Sequence, residues 1–200
     1  QGIGGYNSLG LEDDKEALEL DSEGRCVMVE LSSNLIIISV YCPANSSQTE
    51  EGERFRLKFL NVLFRRIRNF HKMGKEVVLM GDINVSRDLI DHAESLEQLG
   101  IKIKDLNGGK AIEKNHFGSV EEFIYNPGRI PRRIFNQMLA DSIIPSLSQH
   151  GILVDTTRYI QGRNRLKMYT VWNTMKNSRP ANYGSRIDFI LVSIGLKASI

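Results

Sequence analysis

Hydrophobic and polar positions change period along the chain, and each change marks an element. From Cys26 to Leu31 they alternate, with Val27, Val29 and Leu31 on one side and Cys26, Met28 and Glu30 on the other. That is the period-two pattern of a strand. Leu35 to Tyr41 (Leu-Ile-Ile-Ile-Ser-Val-Tyr) is apolar nearly throughout, which predicts a central strand. The short polar Ser32-Ser33-Asn34 joins the two as a hairpin. Pro43 ends the second strand. From Glu51 to Phe70 the period lengthens. Phe55, Phe59, Leu60, Leu63, Phe64 and Ile67 form one stripe of an amphipathic helix of about 20 residues, roughly 30 Å long. Val77 to Met80 is a continuous apolar run between Lys75-Glu76 and Gly81, which predicts a strand buried on both faces. A strand, a long helix and a strand make a crossover unit, so 35–41 and 76–81 should run parallel in one sheet. Tyr41 and Asp82 then emerge at the same end of it.

The rest of the chain is less periodic. Residues up to Gly24 read as a polar surface loop with a helical turn around Asp14–Leu20. Ser86–Glu94 reads as a loop entering a helix, with Asp88 or Asp91 as its cap. Ile101 to Pro127 looks irregular apart from a short helix near Ser119–Tyr125. Gly128–Arg133 reads as a basic turn, and Ile134–Leu147 as a helix through Phe135, Met138, Leu139 and Ile143. Gly151–Asp155 reads as a compact turn in which Asp155 caps, and Met168–Trp172 as strand-like. Ile187 to Val192 is a strand interrupted by Asp188. A carboxylate there is costly unless it is paired or hydrogen-bonded, so Asp188 is expected to hold something, a histidine or a metal.

Two hundred residues, 41% hydrophobic and 25% charged, suit one globular domain with a substantial core. No apolar run approaches the ~20 residues of a membrane span, and no signal-peptide pattern is visible in a chain that opens on Gln1. Cys26 and Cys42 lack metal-ligand spacing and fall in strand-like runs, which points to buried free thiols. The net charge of +2 hides an asymmetry of −6 over residues 1–123 and +8 over residues 124–200. A basic half suits a polyanionic partner, or is spread over several faces. One contiguous basic face would include Arg129, Arg132, Arg133, Arg163, Arg165 and Lys167.

The candidate chemistry gathers at strand ends, where layered α/β proteins place their sites. Gly81 lets the backbone turn as its strand stops. Asp82 and Asn84, two apart in an extended segment, point the same way. The same residues also suit an ordinary Gly-Asp turn. Asp91-His92 is a structural pair, with Asp91 holding loop backbone, or a metal-binding one.

Tyr41-Cys42-Pro43, Gly81-Asp82-Ile83-Asn84, Ile90-Asp91-His92, Tyr169-Thr170-Val171-Trp172 and Asn182-Tyr183-Gly184-Ser185-Arg186-Ile187-Asp188 resemble, in order, the motifs of the exonuclease III class of abasic-site endonucleases, within the endonuclease/exonuclease/phosphatase superfamily. Gly-Asp-x-Asn is shared across the superfamily. The first and last motifs are more specific and narrow the resemblance to one branch of the class. The resemblance implies an α/β fold, a DNase I-like four-layer αββα sandwich of two mixed sheets flanked by helices. It implies a DNA-repair phosphodiesterase acting on abasic sites and 3′ ends in base excision repair, in the nucleus, with magnesium or manganese as cofactor.

By the same resemblance, Asp82 activates the attacking water or protonates a leaving group, Asn84 hydrogen-bonds the phosphate, Tyr41 sits against it, and Asp188 orients a histidine. Asp82 and Asn84 help hold the metal. Asn45, Arg132, Arg133, Asn182 and Ser185 face DNA. A sliding clamp is the expected partner through a segment outside this chain. The family's Asn-bearing first strand, its Gln-Glu metal ligand and its Ser-Asp-His are not found here, so residues 1–200 read as one catalytic domain without its first and last strands. Val171 and Ser185 stand where the major abasic endonuclease carries bulky aromatics, which favours 3′-end processing. Two other readings stay open: a non-catalytic scaffold of the same fold, and a phosphatase of lipid or inositol phosphates.

Overall fold

A computed structural model describes residues 8–11, 13–31 and 34–200. In chain order the elements are α1 (Asp14–Asp21), β1 (Cys26–Glu30), β2 (Leu35–Tyr41), α2 (Glu50–Lys72), β3 (Glu76–Asp82), α3 (Ala93–Gln98), α4 (Gly109–Asn115), α5 (Phe117–Tyr125), α6 (Ile130–Asn136), α7 (Pro145–Ser148), β4 (Leu153–Asp155), α8 (Thr156–Gln161), β5 (Val171–Trp172), β6 (Gly184–Ser185) and β7 (Asp188–Ser193). Five strands form one mixed sheet in the order β1-β2-β3-β7-β4, and β5 and β6 form a separate two-stranded ribbon. β1 and β2 pair antiparallel, and β2 and β3 pair parallel across the α2 crossover, as the strand–helix–strand pattern requires. Ser32 and Ser33 of the expected hairpin turn lie outside the described residues.

The core forms on one face of the sheet. Thr49 caps α2 by accepting from the Gly52 amide, and Glu50, Glu51 and Glu53 lie at its positive end. The stripe Phe59, Leu60, Leu63, Phe64, Ile67 and Phe70 packs against Ile36, Ile38, Val40, Val77 and Leu79. Each such buried side chain contributes about 1.5–3 kcal/mol relative to exposure. Phe135 of α6 bridges the layers, stacked on Phe64 at 6.2 Å and edge-on to Phe189 of β7 at 5.0 Å. A second cluster of Leu89, Leu96, Val120, Phe123, Ile124, Ile144 and Leu147 holds α3, α5 and α7.

The opposite sheet face is open. Val27 is 61% exposed, Tyr41 55% and Ile190 51%. β3 is therefore not covered on both faces as its apolar run predicts: Val77 and Leu79 are buried, while Val78 and Met80 are half-buried. Asp188 likewise lies on the exposed side at the start of β7, not within the core. Gly81 sits inside β3, not beyond it, with φ +129°. A Cβ there would meet the Val40 carbonyl oxygen at 2.0 Å, so this glycine permits the close approach of β2 and β3.

Several expectations for the second half are overturned. Ile134–Leu147 is not one helix: α6 ends at Asn136, whose buried amide donates to the Arg87 and Arg132 carbonyls and accepts from Ser142. Gly128–Arg133 is helical, not a turn, with Pro127 opening the short helical turn Pro127–Arg129 and Pro131 in the first turn of α6. The short helix expected near Ser119–Tyr125 is α5, but residues 101–127 also contain α4, which was not expected. Leu153–Asp155 is an edge strand, and Asp155 still caps α8, accepting from the Thr157 and Arg158 amides. The cap of α3 is His92 rather than Asp88 or Asp91. The thiols of Cys26 and Cys42 are free, and burial pushes both upward, Cys26 to about 11. No helix among the described residues is long and apolar enough to cross a membrane.

Candidate active site

The β2–β3–β7 register sets three of the expected residues side by side. Tyr41 pairs with Asp82, and Asp82 pairs with Asp188. Cross-strand partners project to the same face of a sheet, so the phenol and two carboxylates form one row at the end of three strands. β7 starts there because Thr170 Oγ1 accepts from both the Ile187 and Asp188 amides, at 3.0 and 3.1 Å. Burial raises the Asp82 pKa and the Asp188 charge raises it further, while the bonds from Asn84 pull it down; the net shift is upward.

Asn84 reaches Asp82 by a different route from the extended one expected. Its backbone is left-handed, φ +55°, a region that asparagine tolerates better than most residues. Its backbone amide donates to Asp82 Oδ1 at 2.7 Å. Its Nδ2 donates to the Cys42 carbonyl at 2.8 Å and to Asp82 Oδ2 at 3.1 Å. Both neighbours are acceptors, which fixes the amide orientation and leaves Oδ1 as its free polar atom. In this geometry Asn84 holds Asp82 and is not turned outward as a donor. Arg56, buried on α2, donates to the Asn84 carbonyl at 2.7 Å.

Beside this row lies an open polar cleft of about 470 Å³, lined by Arg56, Asn84, His92, Arg129, Arg132 and Ser185 among others. Three guanidinium groups on its wall repel one another. Burial, then Arg129 and Arg56, bring the Arg132 pKa down to about 10. The Arg132 guanidinium lies 3.5 Å from the centre of the Phe123 ring. Tyr41 and Asn45 line a separate hollow of about 270 Å³. There the Asn45 amide is engaged with Thr49 and Glu53.

Two expected DNA-facing residues sit elsewhere. Asn182 accepts from the Trp172 indole and donates to the Lys167 carbonyl, both at 3.0 Å. Its amide is spent on bracing β5, and it lines another cavity with Lys167 and Tyr183. Arg163 leaves the basic face altogether, because it is bound to Glu113 and Asp88. Arg133 is exposed and Arg132 half-buried.

Arg163 belongs to a buried ionic network beneath the cleft. Arg87 contacts Asp88, Asp141 and Asp155. Arg186 binds Asp91 and Asp155, and Arg158 binds Asp91. Burial pushes the Asp155 pKa up, and Arg87 and Arg186 outweigh it, so the carboxyl stays ionised. Asp91 is thus committed to arginines as well as to the Arg186 amide, which its carbonyl accepts at 2.9 Å, and not to a metal. Sequence reasoning missed Arg56, Arg129's neighbour His92 as cleft residues, and Thr170 as the pin of β7. Arg56 sits next to Phe55 of the apolar stripe, and that adjacency was the one available signal.

Residues 10–199 match the sequence profile of the Endonuclease/Exonuclease/phosphatase family, and the chain belongs to that family. It is 64% identical over its whole length to DNA-(apurinic or apyrimidinic site) endonuclease 2 of Saccharomyces cerevisiae, covering 39% of that protein. It is 35% identical over 90% of its length to the same-named protein of Schizosaccharomyces pombe, covering 29% of it. The chain thus spans well under half of these relatives. The crystal structure of the Xenopus laevis APE2 catalytic domain superposes with a TM-score of 0.68 at 27% identity, over 98% of this chain and 54% of that one. This likeness bears out the DNase I-like α/β fold. The described residues supply its five-stranded mixed sheet and flanking helices.

Proposed function

We propose that the protein to which this chain belongs is a metal-dependent DNA phosphodiesterase that acts on abasic sites and 3′ ends. The observation that carries this reading is the row Tyr41–Asp82–Asp188, with Asn84 locked onto Asp82, at the edge of an arginine-walled cleft. Hydrolysis of a phosphodiester needs a base or acid near the scissile bond and fixed positive charge around the phosphate. Asp82, raised in pKa and held by Asn84, serves as that base or acid. Arg129 and Arg132 supply fixed charge, and Ser185 borders the same space. Arg133 and Asn45 extend the DNA contact outward. Tyr41 is the register partner of Asp82 and lies on the same exposed side of the sheet.

The Asp82 carboxylate and the Asn84 Oδ1 are oxygen donors of the kind that suit a hard divalent cation such as magnesium or manganese. Among the described residues no group of three His, Cys, Asp or Glu side chains is placed to hold a metal. Asp82 and Asn84 would therefore hold it together with residues from elsewhere in the protein. When bound, the ion offsets phosphate charge. Further strands of the same catalytic domain cover the open sheet face; the exposure of Val27, Tyr41 and Ile190 and the short span of the relatives matched support that. Asp188 then faces the covering layer, where a carboxylate can orient a histidine. A nuclear location and a sliding-clamp partner follow from the same resemblance.

The test is incubation of the intact protein with a nicked duplex carrying an abasic site. Cleavage at the site or trimming of the 3′ end, lost on chelation, is expected. Binding without cleavage, or release of phosphate from inositol phosphates instead, would overturn the reading.

A further inference from the structure

We propose that His92 is a substrate-binding residue whose Nε2–H donates to a non-bridging phosphate oxygen of the DNA strand lying in the cleft beside Asn84. This rests on the reading of the cleft as the DNA site. The ring is fixed on several sides. Nδ1 accepts from the Ser95 backbone amide at 3.2 Å and lies 3.0 Å from the Ser95 hydroxyl. A ring nitrogen that accepts a backbone N–H carries no proton, so the proton of the neutral imidazole is on Nε2. The ring packs against Phe123, centroids 5.7 Å apart and planes at 57°. Phe123 is itself covered by Arg132. The His92 backbone forms a β-bridge with Ser185, which ties the ring to another wall of the cleft.

A side chain braced this way has one polar atom left. Among the described residues Nε2 has no hydrogen-bond partner, and His92 lines the cleft together with Arg56, Arg129 and Arg132. Neither Arg129 nor Arg132 is ion-paired to a carboxylate among the described residues, so the cleft wall favours an anionic group, and Glu94 is the one carboxylate lining it. Burial, then Arg132 and Arg129, hold the His92 pKa at about 4. The imidazole therefore offers a directional donor without adding to the crowd of positive charge. A phosphate oxygen bound by the arginines is the acceptor this wall provides for.

The same side chain also caps α3, and two substitutions separate the roles. Asparagine at this position keeps a polar atom where Nδ1 caps but cannot reach as Nε2 does. Glutamine reaches as Nε2 does but is a poor cap. The measurement is kcat and KM of the intact protein on an abasic-site duplex, with thermal melts of each variant. His92→Asn should melt within a few degrees of wild type while KM rises about tenfold or more, the loss of one hydrogen bond to a charged oxygen; kcat should change little. His92→Gln should melt lower and keep a KM near wild type. A wild-type KM in His92→Asn would overturn the proposal. If His92→Asn proves unstable, His92→Gln decides, and a KM raised there as much as in His92→Asn would also overturn it. If wild type itself does not cleave the duplex, the reading of the cleft fails first, and that outcome is distinct from both.

Discussion

Asp82 and Asp188 are register partners across the antiparallel β3–β7 pairing, so two carboxylates meet at the end of the sheet on its open side. Tyr41 extends the same row on the other flank of Asp82. Sheet geometry, rather than loop folding, positions these three groups; the turn after β3 supplies Asn84, and α2 and the start of α6 supply the cleft's arginines. Local changes in each part have separable consequences.

Asn84 combines a left-handed backbone with a spent amide. Asn84→Gly loses the side-chain bonds but tolerates the backbone, whereas Asn84→Ala loses the same bonds and adds about 1–2 kcal/mol of left-handed strain. Urea unfolding should therefore rank wild type above glycine and glycine above alanine, the reverse of the usual preference between those two. Both variants should lose activity, because Asp82 keeps the backbone N–H of residue 84 but loses the Nδ2 bond to its other oxygen. Alanine as stable as glycine would contradict the role given to the backbone.

The arginines divide into two kinds. Arg129 borders the cleft, while Arg163 is bound to Asp88 and Glu113. Arg129→Ala should flatten the log–log salt dependence of DNA affinity by roughly one unit, for all sequences alike. Arg163→Ala should leave that slope unchanged and lower the melting temperature, because it strands the buried Glu113 and leaves Asp88 with Arg87 alone. The converse pattern would mean that Arg163 faces DNA after all.

His92 makes stability depend on pH with a definite sign. Its folded pKa of about 4 lies below the value near 6.5 of a free histidine, so the unfolded chain binds more protons between the two. The contribution is fully present above about pH 6.5 and is lost as pH falls toward 4. Thermal melts at pH 7.5 and 5.0 should show wild type losing more stability than His92→Asn over this interval. Parallel losses would show that the ring titrates normally.

The elements with strict periodicity were legible in the sequence. The alternation of Cys26–Leu31, the stripe of α2 and the run Val77–Met80 define the crossover unit, and that unit alone brings Tyr41 to Asp82. Asp188 was identified for a wrong reason. Its burial was inferred from apolar neighbours in sequence, but β7 alternates, and the residue faces the open side. The basic half was misjudged because charge counts do not reveal pairing. Arg158, Arg163 and Arg186 are absorbed by Asp88, Asp91, Asp155 and Glu113, partners far off in sequence. Asn182 sits in a specific motif, yet its amide braces Trp172, a contact that no spacing rule predicts. Helices α4 and α6 are short and owe their form to tertiary packing, so their periodicity carried little signal.

The most direct test of the central claim is the turnover of Asp82→Asn in the intact protein on a nicked abasic duplex, measured alongside its thermal melt. Asp82 lies at a strand end, half-buried, where an isosteric amide opens no cavity and gives up one of the two bonds from Asn84, so the melt should stay within a few degrees of wild type. Loss of a group that acts in the chemical step commonly costs orders of magnitude in rate, and turnover should fall accordingly. A variant that melts like wild type and keeps more than about a tenth of its turnover, less than 1.4 kcal/mol of barrier, would contradict the assignment of Asp82 as the group that handles the proton.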